Sequence, residues 1–314
     1  KNADYRAAVV ENDLFILNAS YLYLYSLHGD LKETRQLAYS KPILKSNDYF
    51  ALLYENGGTR FRVDRQSGNV YTKTMDQAII TGAISSTGVV ALVTESDLYS
   101  CVLQIFDKNG KKLYTRNCIE RLSDIAFNED STGCVFTELS AVDGDVTATL
   151  KCIQFDTTDY TWESEPLTTL SLALSLTENN HACVIGDTTC AYYDDKGNLE
   201  SQYDYGGTLE NYAVDAGNAA VLIRDEEKRE TKLVIFPGSA SEPIEIVVNG
   251  DAKAVQVYGD RVYMINAETD IAYNFSGKAV ATVRLDSTYD SFLKKDNYLF
   301  LLRYDKIDRV DFKE

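Results

Sequence analysis

Six cysteines, two histidines and several acid-rich turns are the residues whose chemistry could carry a function in this chain. Cys101, Cys118, Cys134, Cys152, Cys183 and Cys190 include no Cys-x-x-Cys spacing, which argues against a zinc site. Sequential pairing joins Cys101 to Cys118, Cys134 to Cys152 and Cys183 to Cys190, each pair across one hairpin or its end. Cys183 with Cys190 leads, because a turn at Gly186-Asp187 would set them opposite each other. Buried free cysteine is equally at home in strands, so thiol and disulfide both stay open. His28 and His181 fall in turns, and two histidines cannot build His-Glu-x-x-His. The nucleophile-elbow, P-loop and dinucleotide-binding glycine motifs are absent too. Asp143-Gly144-Asp145 and the run Asp194 to Asn198 offer oxygen ligands of the kind calcium takes. Neither has the full calcium-loop spacing, and hairpin turns favour the same residues for backbone reasons. No metal and no cofactor is therefore expected. A glycosidase needs only two carboxylates about 5 to 10 Å apart, which distant segments could supply. A carbohydrate-active enzyme with such an acidic pair is thus the alternative to a non-catalytic protein.

The elements that must position these residues follow from a repeat. Short apolar runs, each preceded by a polar turn, begin at Leu14, Tyr49, Val89, Cys134, Ala182, Ala219, Val262 and Tyr298. Their mean spacing is about 41 residues, the length of a four-stranded propeller blade. The turns before them, such as Ser46-Asn47-Asp48 and Ala216-Gly217-Asn218, are rich in residues that tolerate a left-handed backbone. Each therefore joins two antiparallel strands, A and B. A second hairpin, between C and D, recurs at His28-Gly29-Asp30, Asp64 to Tyr71, Asp107 to Leu113, Asp194 to Asn198 and Phe275 to Lys278. Stretches such as Thr59 to Asp64 alternate with the period of two expected of half-buried strands, and no stretch holds a helical period. The expected fold is all-β, a single propeller domain over residues 1–314. Its eight units run over about 4–37, 40–75, 78–117, 120–166, 168–205, 208–248, 251–285 and 288–314. The last unit shows no D strand, so it is either three-stranded or completed by residues before Lys1. A seven-bladed ring clasped by the N-terminal run is the alternative.

Composition narrows the function further. With 25% charged and 45% hydrophobic residues, the chain has the proportions of a folded protein. No apolar run approaches the roughly 20 residues of a membrane helix, so this segment is not expected to span a bilayer. A net charge of −17 repels phosphate backbones and anionic lipid, which removes nucleic acid from the expected partners.

The C to D hairpins, Asp-x-x-x-Gly or Asp-x-x-Gly followed by a small polar and an apolar residue, are clearest at Asp64 to Val70 and Asp107 to Leu113. On them the chain resembles the quinoprotein-like and WD40-like β-propellers along nearly its whole length. It departs from both classes in lacking a Trp-Asp dipeptide and in carrying one tryptophan, Trp162. The resemblance therefore implies the fold and carries no cofactor site. The acidic, Tyr-rich, His-poor chain that opens at Lys1 also looks like propeller domains of unknown function tethered outside Gram-positive cells. That likeness implies an extracytoplasmic location, at the cell surface or secreted, with a signal or anchor upstream of Lys1.

In such a fold the B to C loops share a face with the D to A connections. Read in order, those loops hold Glu55, Glu95 and Asp97, Asp143 and Asp145, Asp187, Asp225 and Glu226, Glu268 and Asp270, and Asp305; only Asn18-Ala19-Ser20 brings no acid. The expectation is an acidic rim for a protein, peptide or glycan partner, with a cationic ligand as its sharper form.

Overall fold

Every helix or strand found in the computed structural model, which describes residues 5–238, 242–248 and 251–313, is a β-strand. The strands form eight antiparallel sheets, each built from consecutive strands in chain order. Each repeat start lies on, or within two residues of, the second strand of a different sheet. Leu14 is in Asp13–Leu17, Tyr49 precedes Ala51–Glu55 and Val89 precedes Val90–Thr94. Cys134 is in Gly133–Val142, Ala182 opens Ala182–Gly186 and Ala219 is in Asn218–Asp225. Val262 is in Arg261–Ile265, and Tyr298 opens Tyr298–Leu302. The fold is an eight-bladed β-propeller.

The seven-bladed alternative is overturned. Arg6–Val10 pairs in register with Asp13–Leu17 as the first strand of its own blade, so it is not a clasp on the last one. The last blade has three strands among the described residues, Ser291–Lys295, Tyr298–Leu302 and Ile307–Asp311.

The chain divides into two compact units of four blades, one ending at Glu163 and the other beginning at Ser164. Within each unit the first strands of neighbouring blades pack together. The apolar clusters fill the gaps between neighbouring blades: Phe15, Leu22 and Leu53 join blades 1 and 2, and Leu52, Phe61 and Leu92 join blades 2 and 3. In the second unit Tyr192, Val221 and Phe236 join blades 5 and 6, and Tyr263, Phe292 and Leu301 join blades 7 and 8. Second strands are buried on both faces, as in Val90–Thr94, whereas fourth strands such as Leu31–Gln36 are mostly exposed.

The C to D turns show why the repeat is legible in local chemistry. Asp107 Oδ1 accepts the backbone N–H groups of Asn109 and Lys111 at 2.9 and 2.8 Å, and Asp194 Oδ1 accepts those of Lys196 and Asn198 at 2.9 and 2.8 Å. Asn274 Oδ1 and Ser26 Oγ do the same in their blades. The residue three positions on is Gly29, Gly110, Gly197 or Gly277, each at positive φ, where a Cβ would strain the turn.

The cysteine pairings meet the ladder register less well, and all six cysteines are thiols. Cys134 faces Ile153 and Cys152 faces Val135, so the two point to opposite sides of their sheet and cannot bond. Cys183 faces Tyr192 and Cys190 faces Ile185, which corrects the expected opposition: the two are diagonal neighbours with sulfurs 4.0 Å apart. Cys101 and Cys118 are directly opposed, both buried. The Cys118 thiol bonds to Cys101, which lowers the Cys101 pKa to about 7 and raises that of Cys118.

Candidate functional site

The B to C loops meet the D to A connections along one edge of each unit. In blades 2 and 3, Gly57 N donates to Ile79 O, Ile79 N to Gly58 O and Glu95 N to Ala78 O. In blade 5, Asp187 N donates to Leu170 O, and Asp187 Oδ1 accepts Thr169 Oγ1 and Leu170 N, both at 2.9 Å.

The predicted rim carboxylates divide by what they touch. Glu55 accepts Arg60 at 3.2 Å and the Ser40 N–H at 3.0 Å, and these bonds lower its pKa to about 2. Asp225 is bonded to the Lys228 N–H at 3.0 Å, with the Lys228 ammonium 3.5 Å away. Asp187 holds its own loop. These three are occupied by structural work. Glu95, Asp97, Asp143, Asp145, Glu226, Glu268 and Asp305 are exposed. Asp270 departs from the expected placement. It lies in strand Thr269–Asn274, opposite Ile265 and Val283, fully buried, with no hydrogen bond to either carboxyl oxygen among the described residues. Burial pushes its pKa well above the usual carboxylate range, with Lys294 pulling weakly the other way. It cannot serve a solvated rim.

Blade 4 carries the most developed part of the edge. Its hairpin strands, Gly133–Val142 and Asp145–Gln154, have ten residues each, against five in most second strands. Val142 pairs with Asp145 across the two-residue turn Asp143-Gly144, whose φ values are 53° and 94°. Both central residues are left-handed, the turn whose twist matches paired strands. The Asp-Gly-Asp run is thus a hairpin tip. Among the described residues no group of three or more His, Cys, Asp or Glu could hold a metal ion.

Sequence reasoning missed the apolar side chains at this edge. Leu98 and Ile119 are 85% and 79% exposed, and Val142 and Val146 flank the blade 4 tip half-exposed. The available signal was their position in turns, as in Ser96-Asp97-Leu98-Tyr99-Ser100, where an apolar residue packs nothing in the blade. Trp162 is half-buried on the outer strand Tyr160–Glu163, opposite Cys152, and away from this edge. His28 is exposed in its outer turn, and His181 Nδ1 lies 2.8 Å from Glu200 Oε2.

The model of a family of unknown function (DUF5711) matches residues 1–312, and the chain belongs to that family. No curated protein matches it in sequence. Among solved structures, BamB from Moraxella catarrhalis is similar over 100% of this chain and 95% of that one, at 11% identity and a TM-score of 0.63. The β-propeller domain of Cps50 (Swd1) from Myceliophteria thermophila is similar over 85% of this chain and 94% of that one, at 10% identity and a TM-score of 0.56. A functionally unknown protein from Desulfotomaculum acetoxidans DSM 771 is similar over 81% and 88%, at 14% identity and a TM-score of 0.54. At such identities the likeness is one of fold.

Proposed function

We propose that this propeller is a non-catalytic interaction module that recognises a cationic ligand through the carboxylates of its B to C loops. The observation that carries the reading is the set of exposed loop acids left over after structural pairing. No ion pair among the described residues involves Glu95, Asp97, Asp143 or Asp145, while Glu55 and Asp225 have basic neighbours. Unpaired carboxylates along one edge of a chain of net charge −17 sum to a field that draws cations and weakens as salt rises.

The test is binding of a Lys/Gly peptide to the purified protein across a salt series, beside the variant Glu95→Lys/Asp143→Lys/Asp145→Lys. Affinity should fall with salt and be lost in the triple variant, whose fold should survive because exposed loop charges contribute little to stability. Capture unchanged by the triple variant defeats the reading. A parallel incubation with cell-wall glycans, read for turnover, would replace it with the enzyme if product appears.

We further infer an extracytoplasmic place of work, supported by the compositional likeness to tethered propellers. Protease treatment of intact cells tests it: loss of the protein is expected, and full protection overturns it.

A further inference from the structure

Exposed aliphatic side chains scattered singly need no explanation. Those of blades 3 and 4 are gathered on adjoining connections. Leu98 lies in the B to C loop of blade 3, and Ile119 in the link from blade 3 to blade 4. Ser100 ties the two together, its N–H donating to Cys118 O at 3.0 Å and its hydroxyl to Ile119 O at 2.5 Å. The blade 4 hairpin then runs past them. Arg121, which opens the first strand of that blade, pairs with Leu139, so Ser140 to Val142 extend beyond it by about 10 Å at the usual rise per residue. That extension is braced: Ala141 pairs with Val146, and the Ser140 and Thr147 hydroxyls meet at 3.2 Å.

Charge decides what fits there. Glu95, Asp97, Glu120, Asp143 and Asp145 lie on the same connections, with Arg121 as the one cation from 95 to 100, 119 to 121 and 141 to 146. None of the five acids is in an ion pair among the described residues. A second copy would set these acids against themselves, and anionic surfaces are repelled in the same way.

We propose that the blade 3 and blade 4 edge docks a basic amphipathic polypeptide segment, whose aliphatic side chains cover Leu98, Ile119 and Val142, the last on the face of its hairpin that Cys134 and Phe136 turn to blade 3, while flanking Lys or Arg residues meet the carboxylates. This rests on the interaction-module reading above and names the partner's chemistry. The apolar contacts supply an anchor that excludes water, and the surrounding charges set orientation and on-rate. The rigid hairpin limits the ordering cost on the protein's side.

The experiment compares two synthetic peptides of equal length and charge, one of Lys and Leu and one of Lys and Gly, by fluorescence anisotropy against the full chain. The Lys/Leu peptide should bind at least about tenfold tighter, since covering even one aliphatic side chain contributes that much. The surplus should persist at high salt and vanish in Leu98→Ser/Ile119→Ser, while Lys/Gly binding stays as in the parent. Unfolding temperatures of the variants check that the blades are intact. Equal affinity for the two peptides, or a surplus that survives Leu98→Ser/Ile119→Ser, overturns the docking proposal and leaves the acidic rim standing. Lys/Gly binding that ignores Glu95→Lys/Asp143→Lys/Asp145→Lys overturns the rim itself.

Discussion

Blades 2 and 7 each bury an aspartate on the third strand, Asp64 and Asp270, both with no exposed surface, yet the surroundings are opposite. Asp64 accepts Arg62 Nε and Nη2 at 2.7 Å, Arg35 Nη1 at 3.1 Å and Asn69 Nδ2 at 2.8 Å. Arg35, on the outer strand of blade 1, also bonds Glu33 and the carbonyls of Arg65 and Gln66. Burial works against its charge, but Glu33 and Asp64 outweigh that and raise its pKa. The cluster clamps blade 1 to blade 2. Asp270 has no such partner, and its two oxygens face apolar packing between blades 7 and 8. Blade 1 shows what this register ordinarily holds. Asn18 and Asn266 cap equivalent turns, each accepting the N–H groups two and three residues on. The next residue is Leu22 in blade 1, opposite Leu17, and Asp270 in blade 7, opposite Ile265. Burial alone therefore does not assign a carboxylate its role; its partners do.

The largest expected effect lies on the blade 2 side. Arg62→Ala leaves Asp64 with Arg35 and the Asn69 amide but removes its two 2.7 Å bonds, and should lower unfolding stability by about 3 kcal/mol or more, at about 1.5 to 3 kcal/mol for each hydrogen bond to a charged group. A urea midpoint near that of the parent would show that the cluster is not a clamp. On the blade 7 side the sign reverses. Asp270→Leu should stabilise the protein at neutral pH by about 1 to 3 kcal/mol, by removing unsatisfied buried oxygens. The folded pKa of Asp270 is raised, so its contribution is fully present below the unfolded value of 3.8 and is lost as pH rises toward the folded one. The gain from leucine should thus grow with pH above about 4. Urea unfolding in a pH series reads this, and a gain that shrinks toward neutrality would refute it.

Asp270→Asn should have a smaller effect than Asp270→Leu. It keeps the shape and the unsatisfied polar atoms but cannot ionise, so the slope of stability with pH should flatten while the acid-side stability changes little. The smallest effect belongs to the pair of half-buried Glu55 and solvent-facing Arg60. Glu55 titrates near 2, held down first by Arg60, so its contribution is present above 4.5 and fades as pH falls toward 2. Because Arg60 is solvent-screened, Glu55→Gln should melt only slightly below the parent at neutral pH, and that small gap should close in melts taken toward pH 2; a gap that widens in acid would refute the assignment.

Much of the blade framework was legible because its signals are local. Asp107, Asp194 and Asn274 each close a turn onto a backbone two and four residues away, and Asp143-Gly144 sets its own hairpin. The rim was legible only as a list of acids. Glu268 and Asp270 are two residues apart with the same charge, yet one is exposed and the other fully buried. The cysteines mislead for a related reason: a shift of one residue in register turns a side chain to the other face, and Cys134 with Cys152 fall on opposite sides of that shift.

Residue order alone carries the repeat of about 41 residues, the turn positions and the overall acidity, all set by contacts within a few residues or by composition. Strand pairing in three dimensions settles that there are eight blades and not seven, which carboxylates lack ion pairs among the described residues, that Asp64 is clamped and Asp270 stranded, and that Leu98, Ile119 and the blade 4 tip lie along one edge. Those outcomes depend on strand register and on which blade packs against which, where the interacting residues are tens of positions apart and a single strand's period of two cannot choose between partners.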